Sequence, residues 1–172
     1  MLPAYDDLPI DPASGLRPRL LEPDELRLAI PLLAALPGAD GPETIHAFIS
    51  HWLCKHADEG QHRGIMTLRD RNDVILALFF FALRTETAMA RWLEVPRLRA
   101  AESGSRHTIL GAALRTVADL AQRCGCDEVL VRAEAASLAW IETAAALLQI
   151  GPTQGFERQG TDWVRVLRGA GG

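Results

Sequence analysis

The chain is almost without lysine. Of 18 basic residues only Lys55 is not arginine, and 22 acids outnumber them to leave a formal net charge of −4. The arginines are scattered, so no basic stripe stands ready to neutralise a row of phosphates, and nucleic acid is disfavoured as a partner. Cysteine is scarce and odd in number (Cys54, Cys124, Cys126), which argues against a disulfide framework and suits a reducing cytoplasm. No apolar run approaches the ~20 residues of a membrane helix. Residues 1–11 hold acids and prolines where a secretory leader would need a basic patch and an apolar stretch. The expectation is a cytoplasmic protein with no membrane partner.

Metal-ligand spacing is missing as well. His46, His51 and His56 recur every five residues, which turns successive side chains by roughly 140° on a helix instead of keeping them on one face. His51 and Cys54 are three apart, but two ligands alone do not make a zinc site. Cys124-x-Cys126 has the wrong spacing for a redox pair. No metal is expected.

What the chain does have is apolar material for one core. Hydrophobic residues are 48% and charged residues 23% of 172, ordinary values for a globular domain, and a chain of this length hides about 70% of its unfolded surface. Residues 1–14, with Pro3, Pro9 and Pro12 among acids, read as a loosely attached extended arm. Residues 15–172 read as a single domain. A strand at 15–22 precedes Pro23-Asp24-Glu25, the order of proline and acids that opens a helix. Leu26, Ile30, Leu33 and Leu36 keep helical spacing, with a kink expected at Pro31, as far as Pro37-Gly38. A second helix runs from Gly41-Pro42-Glu43 to about Glu59-Gly60 on Ile45, Phe48, Ile49, Trp52 and Leu53.

The period then changes. Residues 63–69 read as a strand and Asp70-Arg71-Asn72-Asp73 as a turn. Residues 74–83 form an apolar decade with Phe79-Phe80-Phe81 that belongs in the middle of a sheet, its faces covered by helices or by a second copy in a homodimer. A third strand of this series spans 87–100. From Arg106 a helix carries Leu110, Ala113, Leu114, Val117, Leu120, Ala121 and Cys124 as one stripe and stops at Gly125. Residues 127–133 read as a strand parallel to the one before the helix, 137–149 as a helix and 163–167 as a closing strand. Trp52, Trp92, Trp140 and Trp163 fall in separate elements and read as packing.

Two local features point to chemistry. In the strand at 87–100, Leu93 and Val95 share one parity, Leu98 and Ala100 the other, and Pro96 sits at the switch. One extra residue, a bulge, returns both pairs to one face, and proline tolerates the place because it has no N–H to give to a ladder. The strand would part from its neighbour there and leave backbone groups beside a cleft. Directly downstream, Ser103-Gly104-Ser105 leads into the helix, with Ser103 or Ser105 as its cap. First-turn N–H groups lack internal partners, so those across 106–111 form an anion site suited to phosphate. Arg106 adds charge, and Gly111 lets the backbone approach closely.

Together with the element order, this stretch resembles the GNAT superfamily of acyl-CoA-dependent N-acetyltransferases. Residues 16–36 look like its opening strand and helix, 63–83 like its central hairpin, and 91–125 like its splayed fourth strand, pyrophosphate loop and following helix. Residues 147–167, with Gly155-Phe156, are similar to its late helix, Gly-Phe pair and closing strand. The resemblance implies an α+β fold in αβα layers: a GNAT-like mixed, mostly antiparallel central sheet with helices on both faces. It implies acetyl-CoA or another acyl-CoA as co-substrate, with backbone N–H groups of Leu98, Arg99 and Ala100 at the acyl carbonyl and pantetheine. Arg106, His107, Thr108, Ile109, Leu110 and Gly111 would then surround the pyrophosphate.

The reaction implied is transfer of an acetyl group to a small-molecule or peptide amine, in which a base removes the amine's proton and backbone donors stabilise the oxyanion. Glu94, opposite in parity to Leu93 and Val95, is the first candidate base, and Glu134, just past the fifth strand, the second. His107 is a candidate for touching phosphate or moving a proton. Two departures from the family stand out. The loop usually written Arg/Gln-x-x-Gly-x-Gly/Ala is degenerate here, because Ser105-Arg106-His107-Thr108-Ile109-Leu110-Gly111 lacks its first glycine. The tyrosine often found before the Gly-Phe pair has no counterpart in Gln149-Ile150-Gly151-Pro152, the sole tyrosine being Tyr5. A second reading therefore stays open, a GNAT-like binding or regulatory module without catalysis.

Overall fold

The computed structural model describes residues 8–34, 41–54, 62–87, 90–101, 105–132 and 146–167. Its strands, β1 (Arg17–Leu20), β2 (Arg63–Arg69), β3 (Ile75–Thr87), β4 (Ala90–Ala100), β5 (Glu128–Arg132), β6 (Glu157–Gln159) and β7 (Asp162–Val166), form one sheet in the order β1-β2-β3-β4-β5-β7-β6. Neighbours are antiparallel except β4 and β5, which are joined through a helix, α3 (Arg106–Arg123), and so run parallel. Helices α1 (Leu26–Leu33) and α2 (Pro42–Cys54) cover one face and α3 the other, the mixed, layered α+β architecture expected. Among the described residues no helix is long and apolar enough to cross a membrane.

The apolar run of β3 divides the two layers. Phe79 and Phe81 join the core under α3 with Met66, Leu68, Leu93 and Val95, while Phe80 joins Leu78, Ile65 and the α1–α2 layer. All three rings are fully buried within the chain, so no partner subunit is needed to cover them. Gly64 makes the packing feasible, because a Cβ there would fall 2.7 Å from Phe81 Cζ. Phe80 meets the Trp52 ring edge-on at 5.5 Å. In α1, Leu26, Ala29 and Leu33 turn inward at the spacing of one helical face. Gly125 ends α3 at a φ of 64°, the left-handed conformation that glycine adopts without strain.

Three features differ from the sequence expectation. The chain reaches α1 through a short 3-10 turn, Pro23–Glu25. Strand β6 was not foreseen, since it has only three exposed polar residues and owes its place to the tight turn at Gly160, φ 65°. The segment from Leu8 to Leu16 is not a loose arm: both leucines are buried, and the buried Asp11 carboxylate accepts Arg115 Nε at 2.6 Å and Nη2 at 3.0 Å. The Ser14 amide and hydroxyl donate to the same carboxylate at 2.8 and 2.6 Å. Of the helix expected at 137–149, residues 146–150 are described and helical; Leu36, Pro37-Gly38 and Trp140 lie outside the described residues.

The bond to Arg115, opposed by burial and reinforced by Ser14, holds the Asp11 carboxyl down from its ordinary 3.8 to about 2. A depressed acid stabilises the fold above its unfolded value and ceases to do so as pH falls through the folded one. The lowering corresponds to on the order of 2 kcal/mol. Asp11→Asn should therefore be less stable than wild type at pH 7 by at least about that amount, with the gap closing between about pH 4 and pH 2; urea unfolding across that range checks it.

Candidate functional site

The site begins where β4 leaves β5. Along β4 the pairing with β3 passes from Phe80↔Arg97 to Ala82↔Glu94, so Val95 and Pro96 together oppose the single residue Phe81. This is the expected bulge, and it returns Leu98 and Ala100 to the α3 core beside Leu93 and Val95. Pairing with β5 runs from Trp92↔Glu128 to Val95↔Val131 and stops. Beyond Pro96, β4 continues beside β3 alone among the described residues.

Which backbone groups face the gap follows from strand alternation. The Ala101 N–H donates to Leu76 O on the β3 side at 2.7 Å. In an antiparallel ladder the pointing direction alternates residue by residue, so Arg99 pairs toward Leu78 while the N–H groups of Leu98 and Ala100 point away from β3. The expectation for Arg99 is thereby corrected: its backbone belongs to the ladder, and its buried side chain donates Nε to Leu32 O at 3.2 Å.

The first turn of α3 is the second component. Ser105 occupies the cap position with no side-chain bond to the turn, and the first intrahelical bond is Ile109 N–H to Ser105 O at 3.0 Å. The amides of Arg106, His107 and Thr108 precede that bond, and those from Ile109 onward serve the helix. Ile109 and Leu110 are buried in the core, so the bulk that replaces the family glycine points inward, away from the turn. At Gly111 a Cβ would lie 3.3 Å from Arg115 Nη1 and 3.8 Å from Ile150 Cγ2, so its near protein neighbours are its own helix and the 146–150 stretch. His107 Nε2 faces Gln149 Oε1 at 2.8 Å, tying the turn to that stretch. Ser103, Gly104 and Glu134 lie outside the described residues.

Glu94 sits on the opposite face of the sheet from α3, one residue before the last β4–β5 pair. It is only 8% exposed. Its two oxygens accept from different strands: Oε2 from Arg84 Nε of β3 and Oε1 from Arg132 Nε of β5, both at 2.7 Å. Burial pushes its carboxyl up, but the bonds to Arg84 and Arg132 outweigh this and hold it below the ordinary carboxylate value. A carboxylate so held is a weak base. It forms one wall of a pocket of about 680 Å³ with Arg84, Trp92, Glu128, Leu130 and Arg132. Sequence reasoning missed both arginines. Their signal was modest: each ends a run of apolar strand residues, and Arg132 shares the parity of Leu130, away from the buried Val129 and Val131.

No protein-family model matches the sequence, and no curated protein matches it. Solved structures do match in shape. An aminoglycoside 6′-N-acetyltransferase from Acinetobacter baumannii is 15% identical with a TM-score of 0.62, the match covering 92% of this chain and 99% of that one. A chain of the NatC complex bound to Gag peptide and CoA is 15% identical with a TM-score of 0.60, covering 88% and 98%. A spermidine N-acetyltransferase chimera, from Vibrio cholerae and hSSAT, is 13% identical with a TM-score of 0.59, covering 88% and 95%. The chain has the GNAT fold. Within that fold the parted strands, the first turn of α3 and the Glu94 pocket lie on consecutive stretches of β4, α3 and β5.

The Glu94 clip also bears on stability. Glu94→Gln removes the charge from two short charged hydrogen bonds and should destabilise the protein by about 1–3 kcal/mol at pH 7. Because the folded carboxyl is depressed, the deficit should shrink as pH falls below the ordinary 4.5 and through the lower folded value. Denaturant unfolding at pH 7 and pH 3 measures both.

Proposed function

We propose that this protein is an acyl-CoA-dependent N-acyltransferase, using acetyl-CoA or a related thioester to acylate an amine. The observation that supports the reading is the end of the β4–β5 pairing at Val95 together with the bulge at Val95-Pro96, beyond which the Leu98 and Ala100 amides point away from β3 on the stretch of β4 ahead of α3. The residues fit such a ligand. Two strand donors suit a carbonyl and an amide-bearing arm, and an exposed first turn with its bulky side chains facing the core suits a diphosphate. Three structural neighbours act on, or are bound with, an aminoglycoside, a peptide and spermidine by their names, which frames the acceptor as an amine.

When bound, an acyl-CoA supplies the activated acyl group. The chain's own contribution is placement: the Leu98 and Ala100 N–H groups orient the carbonyl and donate hydrogen bonds to the charge developing on its oxygen, and Arg106, His107 and Thr108 hold phosphate. Glu94, the earlier candidate base, is assigned a positioning role, because its pairing with two arginines makes it a poor proton acceptor. The amine then enters the pocket already neutral, and rate comes from alignment. The same clip favours a second reading, a binding module that has kept the coenzyme cleft and lost turnover.

Calorimetric titration with acetyl-CoA and free coenzyme A, followed by a thiol-release assay against an amine panel, separates the two. Binding with turnover supports the enzyme, binding alone selects the module, and absence of binding overturns both. A structural control follows from the ladder. Ala100→Pro deletes an N–H that β3 does not use, so coenzyme affinity should fall about fivefold to tenfold, as for one lost hydrogen bond, while thermal unfolding shows only a small loss of stability.

A further inference from the structure

The Glu94 pocket carries more than a clip. Arg132 gives only its Nε to Glu94; among the described residues its Nη1 and Nη2 have no protein acceptor, and its side chain is 46% exposed on the pocket wall. A guanidinium is planar, so fixing Nε also fixes the outer edge formed by Nη1 and Nη2, the edge that receives a carboxylate through two parallel hydrogen bonds. Among the described lining residues, the acids other than Glu94 are at its other end. Glu128 lies four residues back along β5, about 13 Å by strand rise, and Asp127 precedes it with Oδ2 accepting the Arg91 N–H at 3.3 Å. Among the described residues, the group that this end offers to a ligand is therefore the exposed edge of the Arg132 guanidinium, which attracts a negative charge and repels a polycation.

We propose that this pocket selects amine acceptors that carry a carboxylate, held by the outer edge of the Arg132 guanidinium beside the point where β4 and β5 separate. The proposal rests on reading the site as one of acyl transfer. It makes the acceptor an amino acid or an acidic amine and disfavours polyamines. The planar two-donor edge matches the two oxygens of a carboxylate.

The test uses matched pairs that differ in the carboxylate. In acyl transfer, β-alanine should exceed propylamine in kcat/KM by tenfold or more, mostly through KM, and spermidine should be the poorest of the three. Arg132→Ala should bring the β-alanine to propylamine ratio close to one, and Arg132→Lys should restore only part of it, because a point charge replaces a fork. A second arm needs no turnover: N-acetyl-β-alanine should bind in calorimetry more tightly than N-propylacetamide, and the difference should vanish in Arg132→Ala. Thermal melts and coenzyme titration of both variants show that they fold and keep the cleft. Equal handling of the paired compounds, a preference for spermidine, or a preference that survives Arg132→Ala overturns the proposal. Loss of coenzyme binding in wild type with the anion preference intact overturns acyl transfer alone and leaves the carboxylate site standing.

Discussion

Where Val95 and Pro96 of β4 pass the single Phe81 of β3, β4 changes from a strand paired on both sides to one that, among the described residues, pairs with β3 alone. The physical constraint is modest: one extra residue and one absent N–H. Without the bulge, Leu98 and Ala100 would turn to the α1–α2 face and Arg97 and Arg99 toward α3, exchanging apolar for charged residues in a closed core. Burial of those apolar side chains therefore enforces the bulge. The bulge places the change of register where β5 ceases to pair.

The near absence of lysine now has a structural counterpart. Arginine forks tie together elements that the sheet alone would hold weakly. The buried Arg69 of β2 reaches Glu25 ahead of α1 through Nη1 at 3.1 Å and Nη2 at 2.8 Å, Arg115 of α3 holds the N-terminal segment at Asp11, and Arg91 of β4 donates to Cys124 O at the end of α3 at 2.9 Å. Lysine, a point charge on a flexible stem, serves such multi-bond roles less well. The same device at Arg84–Glu94–Arg132 spans three strands just before the β4–β5 pairing ends, bracing its last rungs.

The strands with long periodic or apolar runs were legible in the residues, since β2, β3, β4 and α3 carry their patterns in contiguous stretches. The bulge was legible too, from a parity switch centred on a proline. What escaped was long-range or weakly patterned. Strand β6 has three polar residues and no apolar period. Docking of the segment near Asp11 depends on Arg115, 104 positions away, and composition rich in proline and acid looks the same whether or not such a partner waits. At the site, Glu94 was found by parity, but its character was set by Arg84 and Arg132 on two other strands, a relation that exists only once the sheet is assembled.

That character decides how the proposed reaction would handle its proton. An alkylammonium of ordinary pKa near 10.4 stands about six units above even an unperturbed carboxylate, so passing its proton to Glu94 costs on the order of 8 kcal/mol. Releasing the same proton to water at pH 7 costs about 4.6 kcal/mol. The second route is cheaper by a wide margin, and the arginines widen it further by lowering the Glu94 carboxyl. A fold that clamps a buried strand carboxylate in this way gains a rigid rung and gives up a base, so in the proposed reaction acceleration would come from bringing a neutral amine and a fixed carbonyl together, for which rigid strand edges are well suited.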